Sequence, residues 1–545
     1  MRRSLAQGYS AARLKQDALA GVVVGIVALP LSMALAIAVG APPQHGLYTA
    51  IVAGFIAALL GGCKFQVSGP TAAFVVILAP IVNKYGLSGL LTAGFMAGAM
   101  LVAMGAFKLG TFIRFIPYPV TTGFTAGIAT VIATLQVKDA FGLRVTAMPD
   151  HYLERIGALW RARGTADWRE VVVAGATLAL LVGLPRVTKK IPAPLVAIAG
   201  VAAVVALVHH LHPSFEVATI QSRFHGIPRT PPKPALPWAG GLSLATVREL
   251  GSSAFAIAML GAIESLLSAI ICDGLTRTRH DPNAELVGLG IANLVAPFFG
   301  GIAATGALAR TATNIRAGAR SPVASAAHAV LVLLAMVLLA PLVAYIPMAS
   351  LAALLLVVAW NMSELRTAMG IVRIAPRSDV LVLVACFLLT VVFDMVVAVS
   401  VGFVLAAVLF MRRMSEITES KLTVDQSRDE GGLVLPPGTS FYEVNGPLFF
   451  GAAQRAMDSL HASESDAFRT IVIHLGKVPV IDATGFAALE NAVDALVRRK
   501  KIVILAGPFP QPRKIFDRAK LDAAHPGMVF VAPTLERAVE LAAAA

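Results

Sequence analysis

Two glycine-broken segments of this chain read as distant copies of each other. GGCKFQVSGPTAAF runs from Gly61 to Phe74, and GGIAATGALARTA from Gly300 to Ala312. Each opens on a Gly-Gly pair. Each then sets a hydroxyl residue beside a glycine, Ser68-Gly69 and Thr305-Gly306, ahead of a short apolar run. Paired, interrupted hydrophobic segments in the two halves of a membrane protein point to a transporter's binding site. At such a break the helix N-terminus keeps unpaired N–H groups and partial positive charge. Two such ends facing each other make a site for an anion. The candidate lining is Ser68, Gly69, Pro70 and Thr71 on one side, and Thr305, Gly306, Ala307, Leu308, Ala309 and Arg310 on the other. Arg310 stands about a turn into the second helix, where it adds positive potential to the site or simply neutralises a carboxylate.

That carboxylate is Glu264, near the middle of the apolar run LGAIESLLSA. A carboxylate inside a membrane span is costly and generally faces a cavity or a partner. Glu264 is therefore read as a coupling-ion site that takes up and releases a proton or ligates Na⁺. The plainer alternative is a carboxyl group bonded to a neighbouring helix. Ser265 and Ser268 flank it, and Ser268 lies on the same helical face. In the first span Pro30 removes a helical hydrogen bond and permits a kink, and Ser32 follows. Both are candidates for lining the site, with packing as the alternative.

The elements that must position these residues are membrane helices. The chain is 57% hydrophobic and 14% charged, with a mean hydropathy of +0.76. Apolar runs this long, in lipid, mean helices and not open sheet. The first half has apolar segments near 18–39, 46–60, 70–82, 88–106, 118–136, 171–184 and 191–208. A polar stretch from His209 to Glu249 separates them from a second set near 252–272, 285–299, 306–316, 322–343, 348–360, 379–396 and 398–411. An odd number in each half requires the halves to be inverted relative to each other. Loop charges agree. With a cytoplasmic N-terminus, the short inside loops collect Lys64, Lys108, Arg114, Arg186, Arg277, Arg316, Arg320 and Arg373, and the C-terminus is cytoplasmic too.

Other classes fit poorly. The net charge of +14 is spread over loops, with no aromatic–basic array for nucleic acid. A cleaved secretory signal fails because more spans follow. Cys63, Cys272 and Cys386 show no metal-ligand spacing, and His209, His210 and His212 have no carboxylate at ligand spacing. No nucleotide-binding loop of Walker type occurs, and no nucleophile–base arrangement stands out. The expectation is no enzyme, no cofactor and no metal.

The composition changes after Met414. Residues 1–17 read as a cytoplasmic tail, 18–414 as a transport domain, 415–431 as a polar, acidic linker and 432–545 as a small α/β domain. Its expected strands are 439–444, 470–475, 501–506 and 528–531, alternating with helices over 451–460, 484–499, 511–520 and 534–543.

The runs ALPLSMALAIAVGAPPQHGLYTA, QVSGPTAAF, ESLLSAIICDGLTRTRHDPNAELVGLGIANL and ARTATNIRAG, in that order, resemble the sulfate permease family, solute carrier family 26 in animals. IDATGFAALE resembles the STAS domain of the same family. The resemblance implies an all-α polytopic membrane domain of fourteen segments, arranged as two inverted seven-segment repeats with core and gate domains, plus a cytoplasmic STAS domain. It implies a homodimer in the cytoplasmic membrane whose core shifts like an elevator. Substrate would sit between Ser68–Thr71 and Thr305–Arg310. Bacterial members move sulfate, bicarbonate or C4-dicarboxylates with H⁺ or Na⁺. Glu264 matches their acidic position. A sodium-coupled bicarbonate member has Asp there, and Thr where Ser268 stands, so H⁺ coupling is favoured here. Leu31 and Leu35 replace the family's frequent Gln and aromatic, which makes one side of the cavity less polar. Ala483 replaces the phosphorylated Ser of the anti-sigma antagonists, so a phospho-switch at that position is absent. A passive anion channel, a nucleobase permease and a receptor-like binding module are the rival readings.

Overall fold

The computed structural model describes the chain from Tyr9 to Ala545, except residues 147, 150, 189–191, 239–242, 394, 418, 424–434 and 450–467, of which 453 and 457 are described. Two compact units emerge, Met1–Phe403 and Val404–Ala545.

The first unit is helical. Helix α1 (Ala11–Val39) starts at Ser10, whose side chain accepts from the Arg13 N–H, and ends at Gly40 in the left-handed region, φ 91°. Helix α2 (Pro43–Leu60) contains a π-helical stretch at Thr49–Ala53. Strand β1 (Ser68–Gly69) follows, then α3 (Ala72–Ala106). The segments expected near 70–82 and 88–106 are the two halves of α3, which meet at Gly86 with φ 67°. Helices α4 (Tyr118–Ala140), α5 (Trp168–Val187) and α6 (Ala193–Leu211) complete the first half. The second half has α7 (Leu244–Thr276), α8 (Pro282–Val295), β2 (Thr305–Gly306), α9 (Leu308–Arg316), α10 (Val323–Val343), α11 (Met348–Met362), α12 (Arg377–Val392) and α13 (Met395–Ile417). Proline repeatedly marks a helix start: Pro117, Pro192, Pro282, Pro347 and Pro376 stand at or beside first turns, where a missing N–H costs nothing. Among the described residues nine helices are long and apolar enough to cross a membrane. Helix α9 is not one of them. Its nine residues reach about 14 Å, roughly half of a hydrocarbon core.

Packing follows the small residues. Helix α3 lies along α7 and α8, α1 along α10, and α4 along α11 and α12. Where α3 crosses α8, Gly98 and Gly290 let the backbones touch. A Cβ at Gly98 would come within 2.6 Å of the Leu294 nitrogen, and one at Gly290 within 2.6 Å of the Val102 nitrogen. This close approach of small residues is how membrane helices gain contact without a hydrophobic driving force.

The second unit contains a five-stranded sheet in the order β3–β4–β5–β6–β7. Strand β3 (Glu419–Thr423) pairs antiparallel with β4 (Thr439–Asn445), while β5 (Thr470–Lys477), β6 (Ile502–Ala506) and β7 (Val529–Ala532) continue in parallel. Alternate strand residues feed two apolar cores, so helices cover both faces. Tyr442, Ile473 and Leu505 pack with α14 (Ala483–Arg498) and α15 (Pro510–Ala519). Phe441, Val472 and Ile504 pack with α16 (Leu535–Ala544). The stretch expected as a linker, 415–431, is corrected in part. Residues 415–417 extend α13, and 419–423 form β3 in register opposite Phe441–Asn445. Polar composition hid this strand because an edge strand needs only backbone partners on one side. The helix expected over 451–460 lies outside the described residues except at 453 and 457.

Gly290→Val tests the α3–α8 contact. The valine side chain meets the Val102 backbone, and overpacking of this kind costs about 1–3 kcal/mol or more. The expected outcome is a lower unfolding midpoint of the detergent-solubilised protein and less monodisperse material.

Candidate functional site

The two breaks meet each other. Strands β1 and β2 pair antiparallel, with Ser68 opposite Gly306 and Gly69 opposite Thr305. The Ala307 N–H donates to Val67 O at 2.9 Å, which extends the pairing. Ser68, Gly69, Pro70, Thr305, Gly306 and Ala307 are all buried. Each strand runs straight into a helix start. Thr71 holds the N-cap position of α3, but its side chain makes no capping bond, and its Oγ1 is buried without a partner. Ala307 holds the N-cap position of α9 and has no group to cap with. Both helix starts therefore keep first-turn N–H groups that no capping side chain satisfies, which suits an anion. Leu308 and Ala309, in the first turn of α9, are exposed.

Arg310 projects from α9 and is 2% exposed. Its Nη2 donates to Pro70 O, so the second break's arginine reaches the end of the first break's strand. Its Nε and Nη1 are buried without partners. A Cβ at Gly69 would come within 2.4 Å of Arg310 Nη1. Glycine at this position is thus a requirement of the guanidinium's path. The neutralising pair with Glu264 does not form: the Arg310 hydrogen bond goes to Pro70, and Glu264 Oε1 is buried without a hydrogen-bond partner.

Glu264 belongs to the stretch of α7 that packs on β2. Thr305 Oγ1 donates to Gly261 O at 2.9 Å, and a Cβ at Gly306 would lie 3.1 Å from the Ser265 Cα. Ser268 was expected beside the carboxylate. Its Oγ instead reaches Thr311 Oγ1 on α9 at 3.4 Å, because that face of α7 packs on the second half-helix. Pro30 lies within α1, and Ser32 is fully buried with Oγ unpartnered. The Ser32 carbonyl lies where a side chain at Gly46 would stand, so this turn of α1 packs tightly on α2.

Four buried polar residues escaped the sequence reading. Asp17, at the start of α1, accepts from the N–H groups of Arg320 (2.6 Å) and Ser321 (3.2 Å) and from Ser321 Oγ (2.5 Å). His328 on α10 is fully buried, with both ring nitrogens unpartnered. Gln66 and Glu285 bond to each other beneath the ladder at 2.6 Å. Glu285 gave the same signal as Glu264, a carboxylate in an apolar run, but it opens its run and so looked like a span end.

The sequence matches the sulfate permease family over residues 14–386 and the STAS domain over 433–538. The chain belongs to the sulfate permease family. It is 41% identical over 515 residues to a protein of Bacillus subtilis (strain 168) named as the putative sulfate transporter YvdB, covering 94% of this chain and 95% of that one. It is 30% identical over 538 residues to the bicarbonate transporter BicA of a Picosynechococcus strain, covering 93% and 91%. Among solved structures, that of SLC26A9 superposes with a TM-score of 0.86 at 17% identity, over 99% of this chain and 92% of the other, and shares the fold. The transmembrane domain of a cyanobacterial BicA gives a TM-score of 0.63 at 28% identity, over 73% of this chain and 98% of that one. This family member is thus a multi-pass membrane protein with the SLC26 transmembrane fold and a C-terminal STAS domain.

Gly69→Ala tests the guanidinium's path. The added methyl displaces the Arg310 guanidinium, and its other neighbour, the Ala50 Cα at 3.6 Å, is at ordinary van der Waals distance. The expected outcome is a folded protein whose unfolding midpoint falls by the equivalent of about 1–3 kcal/mol, the loss of one charge-assisted hydrogen bond. A thermal melt of the purified protein reads it.

Proposed function

We propose that this protein is a secondary active transporter of a small anion, drawn from sulfate, bicarbonate and C4-dicarboxylates. The observation that carries this reading is the meeting of two helix N-termini without capping side chains at the β1–β2 ladder, with Arg310 crossing between them. Backbone N–H groups at Gly69–Thr71 and Leu308–Arg310 hold the anion, and the buried guanidinium adds positive potential. Pro30 and Ser32 line the site from α1. The names of the relatives, sulfate and bicarbonate transporters, support the anion class. Residues 18–414 form the transport domain, as two inverted seven-segment repeats with core and gate parts. The protein acts as a homodimer in the cytoplasmic membrane, with both termini in the cytoplasm, and the core part carries substrate by an elevator-like shift.

Glu264 couples transport to H⁺. Its unpartnered oxygen in an apolar helix is suited to carrying a proton. Glu264 with Ser268, where a sodium-coupled bicarbonate member of the family has Asp and Thr, favours H⁺ over Na⁺. A carboxylate with no structural partner also speaks for coupled transport over a passive channel.

Radiolabelled sulfate, bicarbonate and succinate uptake into proteoliposomes, with H⁺ and Na⁺ gradients imposed separately, tests the reading. Uptake of at least one anion is expected to rise with an inward proton gradient and to ignore a sodium gradient. Glu264→Gln is expected to abolish the response to the proton gradient while leaving anion exchange. Uptake by Glu264→Gln that stays gradient-driven refutes the coupling role.

A further inference from the structure

Gln66 and Glu285 are buried, at 5% and 2% exposure. A buried carboxylate or amide is costly unless its polar atoms find partners. Glu285, on α8, accepts from the Cys63 N–H at 2.9 Å, from Ser265 Oγ on α7 at 3.1 Å and from Gln66 Nε2 at 2.6 Å. Gln66 Nε2 also lies 2.7 Å from Ser265 Oγ, and Ser325 Oγ on α10 donates to Gln66 O at 2.8 Å. Three helices thus converge on one residue, which stands two places ahead of Ser68 in β1.

The other side of Gln66 faces β2. A Cβ at Gly306 would come within 2.3 Å of Gln66 Nε2 and 2.7 Å of its Cδ. The backbone of Gln66 is therefore continuous with one break, and its amide is pressed against the other. No cation bridges Glu285 among the described residues, and its oxygens are met by N–H and O–H donors. Ser265 Oγ and Glu285 Oε1 hold the Nε2 side of the Gln66 amide, while Gln66 Oε1 is buried without a hydrogen-bond partner.

We infer that Gln66 and Glu285 are positioning residues that set the spacing of the two half-helix N-termini and through it the affinity for the transported anion. They act through the β1–β2 ladder and touch no substrate. Gln66 is the wedge, and Glu285 fixes the wedge from below. A site built from backbone N–H groups depends on such support, because no side chain can adjust to make up a displacement of about 1 Å. The inference rests on the transporter reading.

The test is concentration-dependent uptake of radiolabelled sulfate and bicarbonate by the full chain in proteoliposomes. Gln66→Ala is expected to raise KM about tenfold with the maximal rate within about twofold, the scale of one lost hydrogen bond and its contact. Glu285→Ala moves KM the same way and further. Glu285→Gln keeps the side-chain length but only one of the two acceptor oxygens; with that oxygen on the Cys63 N–H, its N–H₂ group opposes Gln66 Nε2, and KM is expected to rise as in Gln66→Ala. A merely structural role lowers folded yield and maximal rate and leaves KM alone. The inference is overturned by an unmoved KM in Gln66→Ala, or by an unmoved KM in a folded Glu285→Ala. Should Glu285→Ala not fold, the KM of Gln66→Ala decides alone. A parent protein that takes up no anion refutes the transporter reading, whereas a transporting parent with an unmoved variant KM refutes the positioning role.

Discussion

A helix interrupted in an apolar interior leaves backbone N–H and C=O groups that must find partners without water. The short antiparallel ladder between Ser68–Gly69 and Thr305–Gly306 answers that constraint, and much of the first unit is arranged to serve it. The residues leading into each strand are held by side chains from other helices. Thr311 Oγ1 accepts from the Val67 N–H at 3.1 Å, and Asn314 Nδ2 donates to Phe65 O at 2.9 Å. On the other lead-in, the Asn293 amide exchanges two bonds with Ala304, both 2.8 Å, and imitates a strand neighbour. Thr49 Oγ1 and His45 Nδ1 reach the carbonyls of Ile302 and Gly300. Polar residues that look misplaced in apolar segments are there because a broken backbone has more bonding groups than a continuous one.

Within this frame the two halves are unequal. The first break contributes backbone, a glycine and a hydroxyl. The second contributes the arginine, and its half also supplies Glu264 and Glu285. The guanidinium does not pair with either. It donates to Pro70 O and keeps two nitrogens free of hydrogen-bond partners, so its charge remains uncancelled next to the helix starts. Gly69 and Gly306 answer this crowding. One makes room for Arg310 and the other for Gln66, so each glycine is set by a side chain that reaches across from the opposite half.

Much of this was legible in the residues. Hydropathy located the helices, and proline and glycine located many of their ends. The paired breaks stood out because an apolar run cannot continue through Gly-Gly and Ser-Gly without a reason. Hydropathy drops across Gly86, and the backbone there leaves the helical region, so the two expected segments are two helical pieces that meet at a break. Other features were hidden for physical reasons. Glu285 lay at the edge of its run, and position in a run says nothing about what packs over it. Ser268 was assigned to its neighbour on the same helix, yet i,i+4 proximity lost to a hydroxyl on the facing helix. The edge strand 419–423 has no alternation to betray it, because it is recognised by its backbone partner β4.

The sequence by itself determined that this is a polytopic membrane protein of the sulfate permease family, with an α/β domain at its end and two matching interruptions. Those are properties of composition, period and motif, each set by residues close together in the chain. Only the tertiary structure decided which group meets which: that the two breaks pair with each other, that Arg310 turns to Pro70 and not to Glu264, and that Gln66 lies wedged between two strands far apart in sequence. Such partnerships are settled by the approach of whole helices, and a buried polar atom bonds to whatever that approach brings within about 3 Å.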